Sequence, residues 1–193
     1  MSPIELIPSK LSPFHDRPNE AALYAPLVGS RMLELGCKIN RERVYKTYFE
    51  SLGYEHVSID WNGQWGSLIR DLREPLWEEF GQFDMVSNIG TTEHVSEQAP
   101  VWENIHRMTR IGGVYVGHTP YPDGRSWWWH GEWYPTEAFY TAFADRNGWE
   151  IERLYRERQP PFELLCCRMV KRREVDVVDV PTQYIRFNKI RPQ

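Results

Sequence analysis

RMLELGCKIN, residues 31–40, is a short apolar run that stops at a glycine and passes straight into residues that start a helix. A run of that length bounded by a turn signal reads as a buried strand. Asn40 is placed to cap the helix that follows, whose apolar residues Val44, Tyr45, Tyr48, Phe49 and Leu52 recur at helical spacing and stop before Gly53. A buried strand joined to an amphipathic helix is the unit of an alternating α/β chain, and the rest of the sequence repeats it.

Residues 56–60 form a second strand, and a third lies around residues 67–70. Pro75 then sits in the first turn of a short helix with Leu76, Trp77 and Phe80 facing inward. FDMVSNIGTTEHV, residues 83–95, begins as the fourth strand over 83–88 and breaks into glycine and polar residues. A helix over about residues 98–110 buries Val101, Trp102, Ile105 and Met108, and Gly112-Gly113 is expected to end it. A fifth strand covers 114–118. Thr136 caps a further helix that buries Phe139, Ala142 and Phe143 and closes at Gly148. The strands 149–155 and 162–170 follow, joined by a turn at 159–161, and are expected to pair antiparallel. This order predicts an α/β fold, a doubly wound seven-stranded sheet that is mostly parallel with one antiparallel strand.

The chain of 193 residues suits one domain, with a proline-punctuated leader and cap over 1–30, a core over 31–170 and a tail over 171–193. Asn19 is placed to cap a short helix within the leader. Twenty-three basic and twenty-seven acidic residues give a net charge of -4 without long runs of one sign, which argues against a nucleic-acid partner. No apolar stretch approaches the ~20 residues of a membrane span, and MSPIELIPSK lacks the regions of a signal peptide, so a cytoplasmic protein is expected with no membrane partner. The three cysteines, Cys37, Cys166 and Cys167, have no paired spacing that suggests a disulfide framework or zinc knuckle. The tail, with VDVVDV at 175–180 and then YIRFNKI at 184–190, alternates enough to make another strand and is a possible homodimer contact.

In open α/β sheets ligands bind beyond the carboxyl ends of the strands, near the point where strand order reverses. The first strand ends at Glu34, Gly36 and Cys37, where a glycine lets backbone approach a ligand. The second ends at Asp60, about twenty-five residues beyond the first, the separation at which a carboxylate accepts from ribose hydroxyls. Asp71 opens DLREPL, within reach of an adenine amino group.

LELG, SID, DLREPL, FDMVSNIG and MTRIGGVYVGHTP, in that order, resemble the class I S-adenosylmethionine-dependent methyltransferases over roughly residues 31–170. SNIGTTEHV with HGEWYPTEAFY is similar to a subset of small bacterial methyltransferase-like proteins. The resemblance implies a Rossmann-like fold and S-adenosyl-L-methionine as cofactor. It places the methionine end at Glu34 and Gly36 with Cys37, the ribose at Asp60 beside Trp61, the adenine at Asp71 and Leu72, and the methyl donor at Asn88, Ile89 and Gly90. One departure stands out: Lys38 occupies the place where the family writes a second glycine.

Methyl transfer is an in-line displacement that needs positioning and, for a hydroxyl or ammonium acceptor, removal of a proton. It requires no metal, and no metal ligands stand at a convincing spacing, although His94, His118 and His130 are free to converge in space. Thr91 and Thr92 read as helix caps, while Glu93 and His94 lie beyond a parallel strand where an acceptor would bind. The segment YPDGRSWWWHGEW, residues 121–133, overhangs the same edge. Its Trp127, Trp128, Trp129 and Trp133 suggest an aromatic lid, and His130 is the first choice for general base. His118 reads as a hydrogen-bonded core histidine. The expected activity is transfer of a methyl group to an oxygen or nitrogen of a small molecule. The alternative is a non-catalytic binding or assembly module on a degenerate version of the same fold, which Lys38 favours.

Overall fold

The computed structural model describes residues 23–24, 28–41, 43–121, 130–159 and 162–186. The leader prolines, the expected cap at Asn19 and the three adjacent tryptophans Trp127, Trp128 and Trp129 lie outside them. Strand β1 (Arg31–Leu35) leads into helices α1 (Lys38–Arg41) and α2 (Arg43–Ser51), followed by β2 (Glu55–Asp60), β3 (Leu68–Ile69), α3 (Trp77–Phe80) and β4 (Phe83–Ile89). Helix α4 (Gln98–Met108), β5 (Thr109–Pro120), β6 (Trp133–Pro135), α5 (Glu137–Asn147), β7 (Trp149–Gln159), β8 (Phe162–Lys171) and β9 (Tyr184–Arg186) complete the order.

Seven strands form one sheet in the order β3-β2-β1-β4-β5-β8-β7, parallel throughout except for β8, which runs antiparallel to both β5 and β7. This is the expected doubly wound sheet with one reversed strand. Alternation along the strands fills both faces. Leu33, Val86 and Tyr115 enter one apolar cluster with α4 and α5, and Met32, Met85, Val114 and Val116 enter the other with α2.

Three local expectations change. The helix after β1 begins at Lys38, so Asn40 lies inside α1, and the Glu34 carboxylate caps that helix by accepting from the Ile39 amide at 2.5 Å. Helix α4 ends at Met108, not at the glycine pair. Thr109 turns to extended backbone and its hydroxyl donates to the Ile105 carbonyl, closing the last turn. Gly112 (φ +77°) and Gly113 instead form an irregularity within β5, where a Cβ on Gly113 would lie 2.9 Å from the Arg110 carbonyl. The tail makes its strand at Tyr184–Arg186 (β9), within the expected stretch, and not at 175–180. Val178 and Val180 pack on the core and Asp179 exchanges backbone hydrogen bonds with the Asn147 side chain, while β9 pairs with β6 of the same chain. Thr136 does cap α5, accepting from the Phe139 amide, and Gly148 (φ +70°) closes it.

The end of α4 also holds a buried polar cluster. Lys171 Nζ donates to the His106 and Thr109 carbonyls at 2.6 and 2.9 Å, and the Trp149 indole donates to His106 Nδ1 at 2.9 Å. Burial first, and the Lys171 charge second, hold His106 down at about 4 against its ordinary 6.5. The unfolded chain therefore binds the extra proton between those values, so this contribution to stability is complete above pH 6.5 and is lost as the pH falls towards 4. Thermal melts of wild type and His106→Gln between pH 7.5 and 4 are expected to show a steeper acid loss in wild type; parallel profiles would remove His106 from the account.

Candidate functional site

The carboxyl ends of β2 and β4, with the segment after β3 and the turn after β4, enclose a cleft of about 400 Å³. It lies beside β1, whose two neighbours β2 and β4 extend the sheet in opposite directions, so the cleft sits at the reversal of strand order. Ile59, Asp60 and Trp61 form one wall, Arg70 to Arg73 the floor beyond β3, and Gly90, Thr91 and His94 to Glu97 the opposite wall.

Among the expected cofactor residues, the structure gathers Asp60, Trp61, Asp71, Leu72 and Gly90 on this cleft. Asp60 Oδ1 accepts from the Asn62 amide at 3.1 Å, an Asx turn that orients the carboxylate at the strand end. Cys37 stands beside it. Burial, then the Asp60 charge, push the Cys37 thiol up to about 11. Asp71 is gripped through both oxygens by Arg73, at 2.6 to 3.0 Å, and that contact holds its carboxyl below the usual range. An adenine amino group would share Asp71 with this arginine.

Glu34, Gly36, Cys37, Asn88 and Ile89 are not among the residues that line the cleft. Glu34 is fully buried, with one oxygen on the Ile39 amide and the other 3.4 Å from His56 Nε2. It therefore shapes the turn after β1 from inside. Gly36 has φ +93°, and a Cβ there would lie 2.1 Å from the Thr91 hydroxyl, so a larger residue is excluded by both conformation and space. Its amide donates to the Ile59 carbonyl and its own carbonyl accepts from the Ser58 hydroxyl, which ties the turn to β2. Asn88 is buried and its side chain binds the next turn: Nδ2 donates to the Thr92 hydroxyl at 2.9 Å and Oδ1 accepts from the Thr91 and Thr92 amides. Asn88, not either threonine, thus organises the 3₁₀ turn Thr92–His94, and no threonine caps α4, which starts after Glu97.

Glu93, His94 and His130 come together. His130 Nε2 lies 3.7 Å and His94 Nε2 3.8 Å from Glu93 Oε1, and the two imidazole centroids are 4.7 Å apart. The Glu93 side chain has no exposed surface and the histidines are 31% and 42% exposed, so a buried carboxylate stands behind two accessible imidazoles. Neither Glu93 oxygen has a hydrogen-bond partner among the described residues, and burial pushes its carboxyl up to about 8. His94 is the member that reaches the cleft.

One expectation fails here and one is met. Trp133 belongs to the core rather than a lid: it is 1% exposed and its ring lies 5.0 Å from Phe139 and 5.4 Å from Tyr184. His118 is buried near the end of β5, close to Glu157 and Cys166, and neither lines the cleft nor joins His94 and His130, in keeping with a core role. Arg70, Arg73 and Glu97 were not singled out by sequence, although the Asp71-Leu72-Arg73 spacing does place a guanidinium beside that carboxylate.

No protein-family model matches the chain, and no curated protein sequence matches it. Solved structures do. A TehB-like S-adenosylmethionine-dependent methyltransferase from Corynebacterium glutamicum is 20% identical, with a TM-score of 0.55 over 79% of this chain and 87% of that one. An S-adenosylmethionine-dependent methyltransferase from Mesorhizobium loti is 14% identical, with a TM-score of 0.61 over 83% of this chain and 100% of that one. A variant of the 16S rRNA (adenine(1408)-N(1))-methyltransferase from Catenulisporales acidiphilia is 10% identical, with a TM-score of 0.54 over 81% and 91%. With the observed strand order, these likenesses show that the chain has the class I, Rossmann-like fold of S-adenosylmethionine-dependent methyltransferases.

Proposed function

We propose that the protein is a cytoplasmic methyltransferase that uses S-adenosyl-L-methionine to methylate an oxygen or nitrogen of a small molecule. The observation that carries this reading is the meeting of Asp60, Trp61, Asp71, Leu72 and Gly90 on one cleft at the reversal of strand order. The cleft suits that cofactor. Its volume of about 400 Å³ is in the range of small-ligand sites, Ile59, Leu72 and Val95 offer apolar surface to a flat base, and Asp60 offers a carboxylate to a diol. The bound cofactor would supply a methyl group already activated on a sulfonium.

The chain then has two tasks, holding the acceptor in line and accepting its proton. Gly90 and the turn Thr92–His94 border the donor end, and His94, with Glu93 and His130 behind it, stands where an acceptor enters. The acidic groups Asp60, Asp71 and Glu97 along the cleft, with the net charge of -4, support a small acceptor over a polyphosphate chain such as RNA. Calorimetry with S-adenosylhomocysteine is expected to show saturable one-to-one binding, and incubation of the protein and S-adenosylmethionine with a metabolite extract is expected to yield a product heavier by one methyl. A folded protein that binds neither form of the cofactor sinks the reading.

The second reading, a binding module without turnover, has its own support. Lys38 replaces the usual second glycine and opens α1, and Thr91 closes over Gly36. Cofactor binding without methylation of any metabolite or of added RNA is the outcome that selects it.

A further inference from the structure

We propose that Glu93, His94 and His130 form a binding site for a divalent first-row transition-metal ion, of the zinc, cobalt(II) or iron(II) kind, at the mouth of the cleft. The first support is geometric. One ligand atom from each residue lies within 4.8 Å of the others, and Glu93 Oε1 is 3.7 Å from His130 Nε2 and 3.8 Å from His94 Nε2. Ligands about 2.0–2.1 Å from a tetrahedral ion are about 3.3–3.4 Å apart, so binding requires each histidine–glutamate pair to draw in by only a few tenths of an ångström.

The second support is independent of that spacing. Glu93 is completely buried, and both its oxygens lack a hydrogen-bond partner among the described residues. A buried carboxyl without hydrogen bonds is accommodated either by protonation or by a compensating cation. The nearby imidazoles stand beyond hydrogen-bond distance of Oε1, at a separation that suits an ion between them better than a proton.

The backbone around the trio is shaped for close approach. A Cβ on Gly131 would lie 2.7 Å from the Glu93 carbonyl and 2.8 Å from Glu93 Cγ, so the residue after His130 must be glycine for His130 to reach Glu93. The Glu132 amide donates to the Glu93 carbonyl at 2.8 Å and the Gly131 amide donates to the Tyr134 hydroxyl at 2.5 Å, which pins both ligand-bearing segments together. Gly90, on the cleft wall, leaves Glu93 Oε1 room on the other side, 3.4 Å from where its Cβ would stand.

The donor set selects the class of ion. Two imidazoles and one carboxylate suit zinc, iron(II) or cobalt(II), whereas magnesium and calcium take oxygen ligands. Three protein ligands leave a further coordination position, as in catalytic metal sites. Since His94 lines the cleft, an oxygen or nitrogen of an acceptor bound there would be the natural further ligand. This role for the ion rests on the proposed methyl transfer; the metal site itself does not.

The experiment uses the full chain after treatment with a chelator, titrated with cobalt(II) by visible absorption and with zinc by calorimetry. One cobalt ion is expected to bind per chain, displaced by zinc and not by magnesium. Glu93→Gln and His130→Ala are each expected to weaken binding by more than about a hundredfold. Glu157→Gln, in the second cluster formed by His118, Glu157 and Cys166, is expected to leave it unchanged. His130 is partly exposed, so its variant keeps the test valid if Glu93→Gln does not fold. Absence of a cobalt spectrum in protein that binds S-adenosylhomocysteine, or the same affinity in Glu93→Gln or His130→Ala as in wild type, overturns the metal site and leaves the methyltransferase reading standing. Cobalt binding without cofactor binding has the opposite effect.

Discussion

Asp60→Ala is expected to weaken S-adenosylhomocysteine binding by about a hundredfold or more while leaving the protein folded. Asp60 ends β2 on the wall of the cleft, and hydrogen bonds from a ribose diol to a carboxylate contribute about 1.5–3 kcal/mol each. Losing one such bond costs about tenfold to a hundredfold in affinity and losing both costs more. The structural loss is smaller, one Asx-turn hydrogen bond to the Asn62 amide. The same variant has a readout that needs no ligand. Because the Asp60 charge helps raise the Cys37 thiol to about 11, its removal is expected to lower that value and speed alkylation of Cys37 near pH 9. An affinity within about threefold of wild type would show that the ribose does not meet Asp60.

Trp102→Ala is expected to cost about 3–5 kcal/mol in urea unfolding, the range for removing a large buried aromatic ring. Trp102 has no exposed surface and its ring centroid lies 4.7 Å from Phe143, 4.9 Å from Phe139, 5.4 Å from Tyr115 and 5.8 Å from Tyr140. No neighbouring backbone is free to fill that volume, because the same rings join α4, α5 and β5. The effect reaches the site. The Trp102 indole donates to Gln98 Oε1 at 3.2 Å, and Gln98 Nε2 donates to the Thr92 and Val95 carbonyls on either side of Glu93 and His94. Gln98→Ala is accordingly expected to lose much less stability than Trp102→Ala. A loss below about 1 kcal/mol for Trp102→Ala would mean that the aromatic cluster repacks without it.

The two residues mark the difference between local and distant information. Trp102 follows from helical spacing in Val101, Trp102, Ile105 and Met108, and Asp60 from its place at the end of an apolar run; each depends on a few neighbouring residues. The ends of elements were less legible. The glycine pair at 112–113 looks like a helix stop, yet buried Lys171, remote in sequence, binds the carbonyls of His106 and Thr109 where α4 ends earlier. The place of Trp133 is likewise set by residues remote in sequence. A tryptophan near a polar, glycine-containing segment looks like lid material, and only its contacts with Trp102, Phe139 and Tyr184 reveal a core residue.

The sequence by itself determined the order of strands and helices of the seven-stranded sheet, the one reversed strand and the strand-end positions of Asp60 and Gly90. Hydrophobic period and turn residues are properties of adjacent positions, and sheets of this kind bind ligands at strand ends. Only the tertiary structure decided that Glu34 turns inward to cap α1, that Asn88 holds the turn after β4, and that His130 meets Glu93 and His94. Those outcomes depend on how closely separate segments approach, and at Gly131 that approach is limited by a single absent Cβ.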